Sequence, residues 1–364
     1  MRDVSESPAP AENSGGMLDK IHDALIIYNP ASGRRTHKRL QDIEAATRIL
    51  KDAGIVAEAV ATTGPGSATE IARNAVRDAR QLVIVCGGDG TINEAVNGLA
   101  RSDLPLAVLP AGTANILAKE LDIPWSIPEA ARLIARGRLV RIALGEILWG
   151  EQSHDGSLTA PRTAFLTKAR YFLCVSGAGP DGAIVHGVDM AKKLRMGILA
   201  YWHEGLRQFF TYGFPRFRVK SSEHEMTASL IVVGRTKYYG GPFRITTGAS
   251  IFEESFEIVA YSGQNRFGVL MCLPAIWLGC LRRVPGIHVW KTKELTCEAI
   301  EAGEIFSQVD GEAGAALPLR FRIVPDALTL VLPEGTPFRS KADSPLGLPA
   351  RDGGRAADKL GRTE

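Results

Sequence analysis

Three short glycine-bearing segments lie in the first third of the chain, and each follows an apolar run and precedes a helical pattern. They read NPASG at 29–33, GGDGTINE at 87–94 and PAGTANILA at 110–118. Strand-like and helix-like patterns alternate about every 25 residues, which is typical of a parallel, doubly wound sheet. Because the carboxyl ends of parallel strands lie at one edge of such a sheet, we expect the three turns to meet there.

The composition of these turns points to a phosphate-bearing ligand. Glycines let backbone N–H groups approach a phosphate closely, and Thr91 and Thr113 stand where helices begin. One such turn is usually a simple connector, but three in successive strand–helix units favour a binding site. The sequence has no G-K-[ST], which excludes a Walker P-loop. The basic run at 34–39, after the first turn, could reach phosphates of the ligand, but a solvated helix face is the favoured interpretation.

A further segment, GAGPDG at 177–182, fits the G-x-G-x-x-G fingerprint of dinucleotide-binding folds. That fold also requires a second strand that ends in an acid about 20 residues later. The corresponding stretch of this chain is basic and has a helical pattern. We therefore predict no dinucleotide site at this point.

The rest of the chain is richer in aromatic residues than the first third. The whole chain contains 13 Phe, 7 Tyr and 5 Trp, and of these only Tyr28 precedes residue 125. Short β-branched and aromatic runs after residue 140 predict a β-rich sandwich or barrel. The predicted fold class is therefore α/β, with a doubly wound parallel-sheet nucleotide-binding domain at 19–140 and a β-rich second domain at 141–335. The last strand could return to the first domain, and we predict disordered tails at 1–18 and 336–364.

Charge and cysteine content narrow the function classes. Lys and Arg number 43 against 40 acids, a net charge of +3, which is too even for broad binding of nucleic acid. The five cysteines include no C-x-x-C pair, so we expect free thiols in a reducing compartment. No signal peptide is recognisable, and the longest charge-free apolar run, Phe267–Leu281, is shorter than the roughly 20 residues of a membrane span. We expect a cytoplasmic protein, at most peripheral to a membrane.

Asp89 is the first catalytic candidate, because it stands between glycines at the tip of a predicted strand. A carboxylate there would repel phosphate unless it binds Mg²⁺ or takes a proton from an attacking hydroxyl. The alternative, with equal weight on this residue alone, is a turn-forming or helix-capping aspartate.

The three turns together, as NPASG, GGDGT-x-N-E and G-T-x-N-x-x-A, resemble the diacylglycerol kinase catalytic-domain family, which includes soluble bacterial lipid kinases and sphingosine kinases. GAGPDGAIV at 177–185 is similar to the family's G-x-G-x-D-A turn, with Pro180 and Gly182 in place of Phe and Ala. RMGILAY at 195–201 and VDGE at 309–312 are similar to two later family segments. The resemblance extends over about residues 22–333.

The resemblance implies an ATP-dependent kinase that acts on a lipid hydroxyl with Mg²⁺ as its metal. The residues that it places against ATP are Asn29, Pro30, Ala31, Ser32, Gly33, Thr62, Gly88, Asp89, Gly90, Thr91, Asn93, Glu94, Gly112, Thr113 and Asn115.

The resemblance also implies the catalytic acids. Glu312 matches the general base of soluble diacylglycerol kinases, whereas the match to sphingosine kinases gives a similar role to Asp89, which is also the predicted metal ligand. Asp310 lies two residues before Glu312, so on one strand the two side chains would share a face and suit a paired acid site. Taken alone, Asp310-Gly311-Glu312 is typical of an ordinary hairpin turn, and only the resemblance favours the paired acid site. Asp181 and Arg195 are the predicted substrate-binding residues. Asp181 could bind the substrate headgroup or Mg²⁺, and a helix cap is an equally weighted alternative.

Two stretches combine aromatic and basic side chains, at 198–218 and 267–283. Such stretches suit the headgroup layer of a membrane, and the alternative is that they form the core and a lid over acyl chains. The expected partners are therefore a lipid substrate and, transiently, a membrane surface, with no nucleic acid. A homodimer is left open.

The predicted function is transfer of the γ-phosphate of ATP to diacylglycerol or a related lipid such as a sphingoid base. A soluble NAD kinase shares GGDGT, but its T-P-T-G-S-T-A-type segment is missing after that motif. A non-catalytic lipid or nucleotide sensor would keep the glycine turns and lose the acids. The presence of Asp89, Asp310 and Glu312 argues against that alternative.

Overall fold

The computed structural model describes residues 20–33, 38–150, 168–188, 207, 211–264, 266–301, 303–334 and 336. Arg195, the segment at 195–201, the greater part of the stretch at 198–218 and the predicted tails, except residue 336, lie outside these residues. In the described part of the chain, none of the helices is both long enough and apolar enough to cross a membrane.

The first unit alternates strands and helices. Its elements are β1 Asp23–Tyr28, α1 Arg39–Asp52, β2 Val56–Ala61, α2 Ser67–Arg77, β3 Val83–Gly87, α3 Asp89–Leu99, β4 Leu106–Pro110, α4 Ile116–Glu120 and α5 Ile127–Ala135. The strands pair in parallel in the order β2-β1-β3-β4. All of β3 and β4 is buried, as their continuous apolar sequences require for a sheet covered on both faces. Helix α1 packs against α5, and α2 against α3.

The second unit is rich in β-structure. Its elements are β5 Arg138–Trp149, β6 Lys168–Phe172, β7 Val175–Ala178, α6 Pro180–Gly187, β8 Phe217–Ser221, β9 Glu225–Ala228, β10 Leu230–Gly234, β11 Tyr238–Tyr239, β12 Phe243–Arg244, β13 Phe256–Tyr261, α7 Arg266–Trp277, β14 Ile287–Thr292, β15 Glu294–Ala299, β16 Phe306–Val309, β17 Glu312–Ala316 and β18 Leu319–Leu332.

The strand β18 joins the two units. It pairs in parallel with β4, through Leu330 and Leu106, and in antiparallel fashion with β5 over most of its length. It also pairs with β15, which leads through β8 to β9 at the edge. The parallel layer therefore continues into an antiparallel one within a single ten-stranded sheet. The boundary predicted at residue 140 lies inside β5.

A six-stranded antiparallel sheet, in the order β14-β13-β10-β7-β16-β17, forms the other layer. The core between the layers is aromatic: Phe172, Phe217 and Phe321 of the large sheet pack with Phe256 of the smaller one. The rings of Phe172 and Phe256 stack with centroids 5.6 Å apart. The prediction of a parallel α/β unit followed by a β-rich sandwich is confirmed, and the aromatic residues fill that sandwich.

Close packing of α2 against α3 depends on Gly98. A Cβ at this position would lie 2.6 Å from the Ala72 Cβ and 2.6 Å from the Thr69 carbonyl oxygen. Because one contact is backbone, the helices would have to separate, so we expect Gly98→Ala to lower the free energy of unfolding by about 1–3 kcal/mol. Urea denaturation measures this change. Gly64→Ala, where a Cβ meets nothing within 4 Å, is the matched control, and an equal loss in both variants would contradict the packing argument.

Candidate functional site

The three glycine-bearing turns meet at the carboxyl edge of the parallel strands. The Gly88 amide donates to the Ser32 hydroxyl at 3.0 Å, and the Asn29 amide nitrogen donates to the Thr91 hydroxyl at 3.3 Å. A Cβ on Gly112 would collide with the Gly88 Cα. The second and third turns are therefore in direct backbone contact, a proximity that only glycine allows.

A buried arginine ties the first turn to the third. The guanidinium of Arg39 is 3% exposed and donates to the carbonyl of Ser32 at 2.8 Å and to that of Ala111 at 3.3 Å. It lies 3.9 Å from the Asp42 carboxylate. The interpretation of 34–39 as a solvated face is wrong for Arg39, because this first residue of α1 directs its side chain to the carbonyls of the first and third turns. The remaining residues of that run, except Lys38, lie outside the described residues.

Other residues predicted to contact ATP lie at the same edge of the sheet. Pro30, Ala31 and Thr113 are exposed there, and Thr62 follows β2, with its amide donating to the Tyr28 carbonyl at 2.8 Å. The remaining members of the predicted set at this edge are Ser32, Gly33, Gly88, Gly90, Thr91 and Gly112.

Three polar members of the predicted set have structural partners. The fully buried Asn115, with φ of 43°, accepts from the Gly112 amide at 3.2 Å and closes the third turn. The Glu94 carboxylate accepts from the Gly66 and Ala68 amides at 2.8 and 3.1 Å, and so caps α2. Asn93 is buried beneath the turn.

Asp89 is the first residue of α3 and is half-buried at the centre of the edge. Its Oδ1 accepts the Ile116 amide hydrogen at 2.7 Å. Burial raises the pKa of the Asp89 carboxyl to about 6, and the charge of Asp310 contributes in the same direction. Lys119 of α4 is close enough for the Asp89 charge to act on it, although burial lowers the pKa of its amine. No motif marked Lys119 in the sequence.

Asp310 occupies a turn and not a strand. With Gly311 it connects β16 to β17, at φ of 47° and 81°. Its Oδ1 accepts the Cys174 and Val175 amides at 2.9 and 2.8 Å, and its Oδ2 accepts the Leu173 amide at 2.8 Å. The expectation that Asp310 and Glu312 share a strand face is therefore wrong, because the left-handed backbone reverses the chain between them.

Asn93 donates to the Oδ2 of Asp310 at 2.8 Å and so joins α3 to the β16–β17 hairpin. Burial raises the pKa of the Asp310 carboxyl, whereas these donors oppose the shift. Asp310 thus connects three chain segments. Each of its two carboxylate oxygens accepts hydrogen bonds from two structural donors.

The same hairpin places Glu312 over the second glycine turn. A Cβ on Gly90 would lie 2.5 Å from the Glu312 Oε1. The other oxygen, Oε2, accepts a hydrogen bond from Arg170 of β6. Arg170 also donates to the Asn93 Oδ1, at 2.6 Å from Nη2. Arg170 carried no motif in the sequence, and only the folded sheet brings it to this site.

Asp181 lies in the second layer, near the start of α6, and is buried. Tyr239 donates its hydroxyl hydrogen to Oδ1, and the Gln308 amide donates to Oδ2 at 3.0 Å. Burial raises the pKa of the Asp181 carboxyl to about 7. The Oε1 of Gln308 accepts the Gly311 amide hydrogen at 2.8 Å, so one side chain connects Asp181 to the hairpin that carries Glu312.

The arrangement combines a cradle of backbone turns with two carboxylates, that of Asp89, which precedes Gly90 in α3, and that of Glu312, which contacts Gly90 from the hairpin. The described residues include no cluster of three or more metal-ligating side chains. Mg²⁺ in phosphoryl-transfer sites is usually held by one or two carboxylates together with substrate phosphates, and so needs no such cluster. Asp89 fits that role, because one of its oxygens is fixed by an amide and it stands where phosphate would enter.

Comparison with family models identifies two domains in this chain. Residues 23–147 match the diacylglycerol kinase catalytic domain, and residues 174–332 match the YegS C-terminal NAD kinase beta sandwich-like domain. The two matches follow the two structural units in chain order.

Proteins of similar sequence or structure are described as diacylglycerol kinases. A diacylglycerol kinase from Bacillus subtilis is 27% identical over 321 residues, which cover 85% of this chain and 96% of that protein. One from Staphylococcus saprophyticus is 27% identical over 305 residues and covers 82% and 91%. A crystal structure described as a diacylglycerol kinase from Bacillus anthracis superimposes with a TM-score of 0.65 at 22% identity, over 86% of this chain and 98% of that one. This last comparison supports the fold.

Replacing Asp89 by asparagine should stabilise the protein in the absence of nucleotide. The folded carboxyl has a pKa near 6 against an ordinary 3.8, so between these values the folded protein holds a proton that the unfolded chain has lost. The free energy of unfolding therefore falls as pH rises through this window. We expect Asp89→Asn to exceed the wild type by about 1–3 kcal/mol near pH 8, measured by urea denaturation. The difference should shrink below pH 6; an equal difference at low pH would contradict this account.

Replacing Asp310 by alanine should strongly destabilise the fold, because three buried amides and Asn93 lose their acceptor. We expect the free energy of unfolding to fall by about 3–5 kcal/mol. Asp326→Ala is the matched control, since Asp326 is exposed and has a similar φ of 46°. That control should lose less than about 1 kcal/mol. Equal losses would attribute the effect to the left-handed backbone and not to the buried carboxylate.

Proposed function

The chain belongs to the diacylglycerol kinase family, and from this premise we propose that it transfers the γ-phosphoryl group of ATP to the hydroxyl of diacylglycerol. One observation carries the proposal. The turns that can bind phosphate and the carboxylates that can accept a proton lie together, with Glu312 directly over Gly90 of the second turn.

The nucleotide end of the reaction uses the glycine edge. Backbone N–H groups at the amino end of α3 would bind phosphate oxygens, because an α-helix start offers free donors and a positive potential. The Gly88 and Gly112 amides, which donate to Ser32 and Asn115, would hold the turns in place around the phosphates. Lys119, which is within electrostatic reach of Asp89, would add a positive charge beside them. Phosphoryl transfer depends mainly on such positioning and charge stabilisation.

Asp89 is the residue proposed to hold Mg²⁺. Its Oδ1 is fixed by the Ile116 amide, so the carboxylate is oriented before any ligand binds. When bound, the metal would neutralise charge on the phosphate oxygens. A metal would also keep Asp89 ionised at neutral pH, against the burial that raises its pKa.

Glu312 is the residue proposed to accept the proton of the lipid hydroxyl. The bond from Arg170 to Oε2 fixes the carboxylate and leaves Oε1 on the side of Gly90. The hydroxyl oxygen would then attack the γ-phosphorus in line as its proton passes to Glu312, while the bond from the γ-phosphorus to the β–γ bridging oxygen breaks and ADP leaves with the electron pair of that bond. Arg170 acts through Glu312 and is a positioning residue.

The lipid end of the reaction involves the second layer. Asp181, oriented by Tyr239 and Gln308, would accept a hydrogen bond from the glycerol headgroup. A sphingoid base also has a polar headgroup beside a long apolar chain, so it is the second acceptor to be tried. The role predicted for Arg195 stays a prediction.

The first experiment supplies the purified protein with Mg²⁺, ATP labelled on the γ-phosphate, and mixed micelles of diacylglycerol or a sphingoid base, with NAD in a parallel reaction. Phase extraction then separates lipid products from water-soluble ones. We expect label in the organic phase that depends on diacylglycerol. Label in NADP alone would replace the proposal with an NAD kinase, and no transfer to any acceptor would contradict it.

Substitutions separate the roles of the two carboxylates. Glu312→Gln should lower kcat by about 100-fold or more without changing the Mg²⁺ requirement, because it removes only a proton acceptor. Asp89→Asn should lower kcat by about 100-fold or more and also raise the Mg²⁺ concentration required. The matched control is Glu304→Gln, an exposed glutamate in the loop before β16, which should retain wild-type rates. A shifted Mg²⁺ requirement in the Glu312 variant alone would reverse the assignment.

A further inference from the structure

Exposed apolar side chains are concentrated on one short helix. The described residues contain eleven exposed large hydrophobic side chains. Six of them lie between residues 267 and 278, that is, in α7 or directly after it. These six are Phe267, Leu270, Met271, Leu273, Trp277 and Leu278. A patch of this density on the surface of a protein indicates an interaction site.

The opposite side of α7 is already packed. Ala275 is buried, and Cys272 and Ile276 pack with Val232 and Val259 of the smaller sheet. The helix is therefore fixed to the sandwich with apolar side chains directed both inwards and outwards. A helix that is apolar all round is usually found in a protein core or in lipid.

The length of α7 excludes a membrane span. Its twelve residues extend about 18 Å, whereas the hydrocarbon core of a bilayer is about 30 Å thick. A short helix with apolar outward residues can lie parallel to the membrane plane, with those residues at the boundary between headgroups and acyl chains.

The charged residues next to α7 along the sequence are all basic. From residue 262 to residue 293 the sequence contains no Asp or Glu, whereas Arg266, Arg282 and Arg283 flank the helix and are exposed. Arg282 pairs with Glu257, which leaves Arg266 and Arg283 at the two ends of the apolar surface. This distribution complements an anionic lipid surface.

The helix also lies close to the proposed lipid end of the site. The Trp277 ring packs edge-on against Phe243 of β12, with centroids 5.6 Å apart. β12 pairs with β11, and Tyr239 of β11 donates to Asp181. A membrane contacting α7 would therefore be one two-stranded hairpin away from the carboxyl that is proposed to bind the lipid headgroup.

We propose that α7 and Leu278 form the surface by which this protein docks on an anionic bilayer. The inference rests on the proposed function only for the identity of the substrate that the docked protein collects. The six apolar side chains enter the headgroup–acyl boundary, and Arg266 and Arg283 contact anionic headgroups.

The test measures cosedimentation of the full chain with phosphatidylcholine vesicles, with or without phosphatidylglycerol. The variant Phe267→Ser/Met271→Ser/Leu278→Ser changes outward residues only and should melt like the wild type. We expect binding to anionic vesicles to fall at least about tenfold in this variant, and wild-type binding to weaken with added salt. The control Val56→Ser/Ile300→Ser changes exposed apolar residues elsewhere, 65% and 46% exposed, and should bind like the wild type.

Kinase assays separate docking from catalysis. With a short-chain diacylglycerol dispersed as monomers, the triple variant should match the wild type, whereas with diacylglycerol in vesicles it should be slower by a similar tenfold factor. Unchanged vesicle binding in the variant would overturn the docking proposal. If light scattering then showed that the variant had lost a dimer, the apolar surface would be assigned to contact between two copies of the chain. Vesicle binding that depends on α7, with no phosphate transfer to any lipid, would overturn the proposed function and support docking.

Discussion

The buried carboxylate of Asp310 is the interaction on which the geometry of the site depends. It accepts hydrogen bonds from the turn between β6 and β7 and from Asn93 of α3, and it belongs to the β16–β17 hairpin. These segments come from both structural units. Since buried amides without acceptors are costly, the carboxylate fixes the hairpin relative to α3, and this places Glu312 over Gly90. Asp310, predicted from the sequence as a catalytic acid, thereby supports the residue that is proposed to accept the proton.

Asp89 and Asp181 share a different property, because burial raises the pKa values of both. Each is oriented by donors before a ligand arrives, Asp89 by an amide and Asp181 by Tyr239 and Gln308. Holding a charge in such a position lowers stability, and binding of the proposed cation or headgroup donor would recover that cost. Functional sites commonly combine preorganisation with reduced stability in this way.

The local parts of this fold could be predicted from the sequence. The glycine turns, the parallel unit and the aromatic sandwich follow from periodicity and composition, which act over a few residues. Contacts that depend on distant pairing could not be predicted. Arg39 lay within a basic run typical of a solvated face, and its burial follows only from the meeting of the first and third turns. Arg170 reaches Glu312 across 142 residues of sequence. The hairpin turn at Asp310–Gly311 agrees with the interpretation of that segment taken alone, but the contacts that Asp310 makes with Asn93 and with the turn between β6 and β7 depend on distant pairing.

The pairing of β18 with β4 has a consequence for biosynthesis. The outer edge of β4 is complete when residue 110 has been made, but its partner ends at Leu332. At about 5–20 residues per second, a ribosome needs roughly ten to forty seconds to add the intervening residues. During that interval the nascent chain carries an open, apolar strand edge of the kind that pairs with other chains. Translation, and not the folding of the first unit, therefore sets the earliest time at which β4 has both of its neighbouring strands.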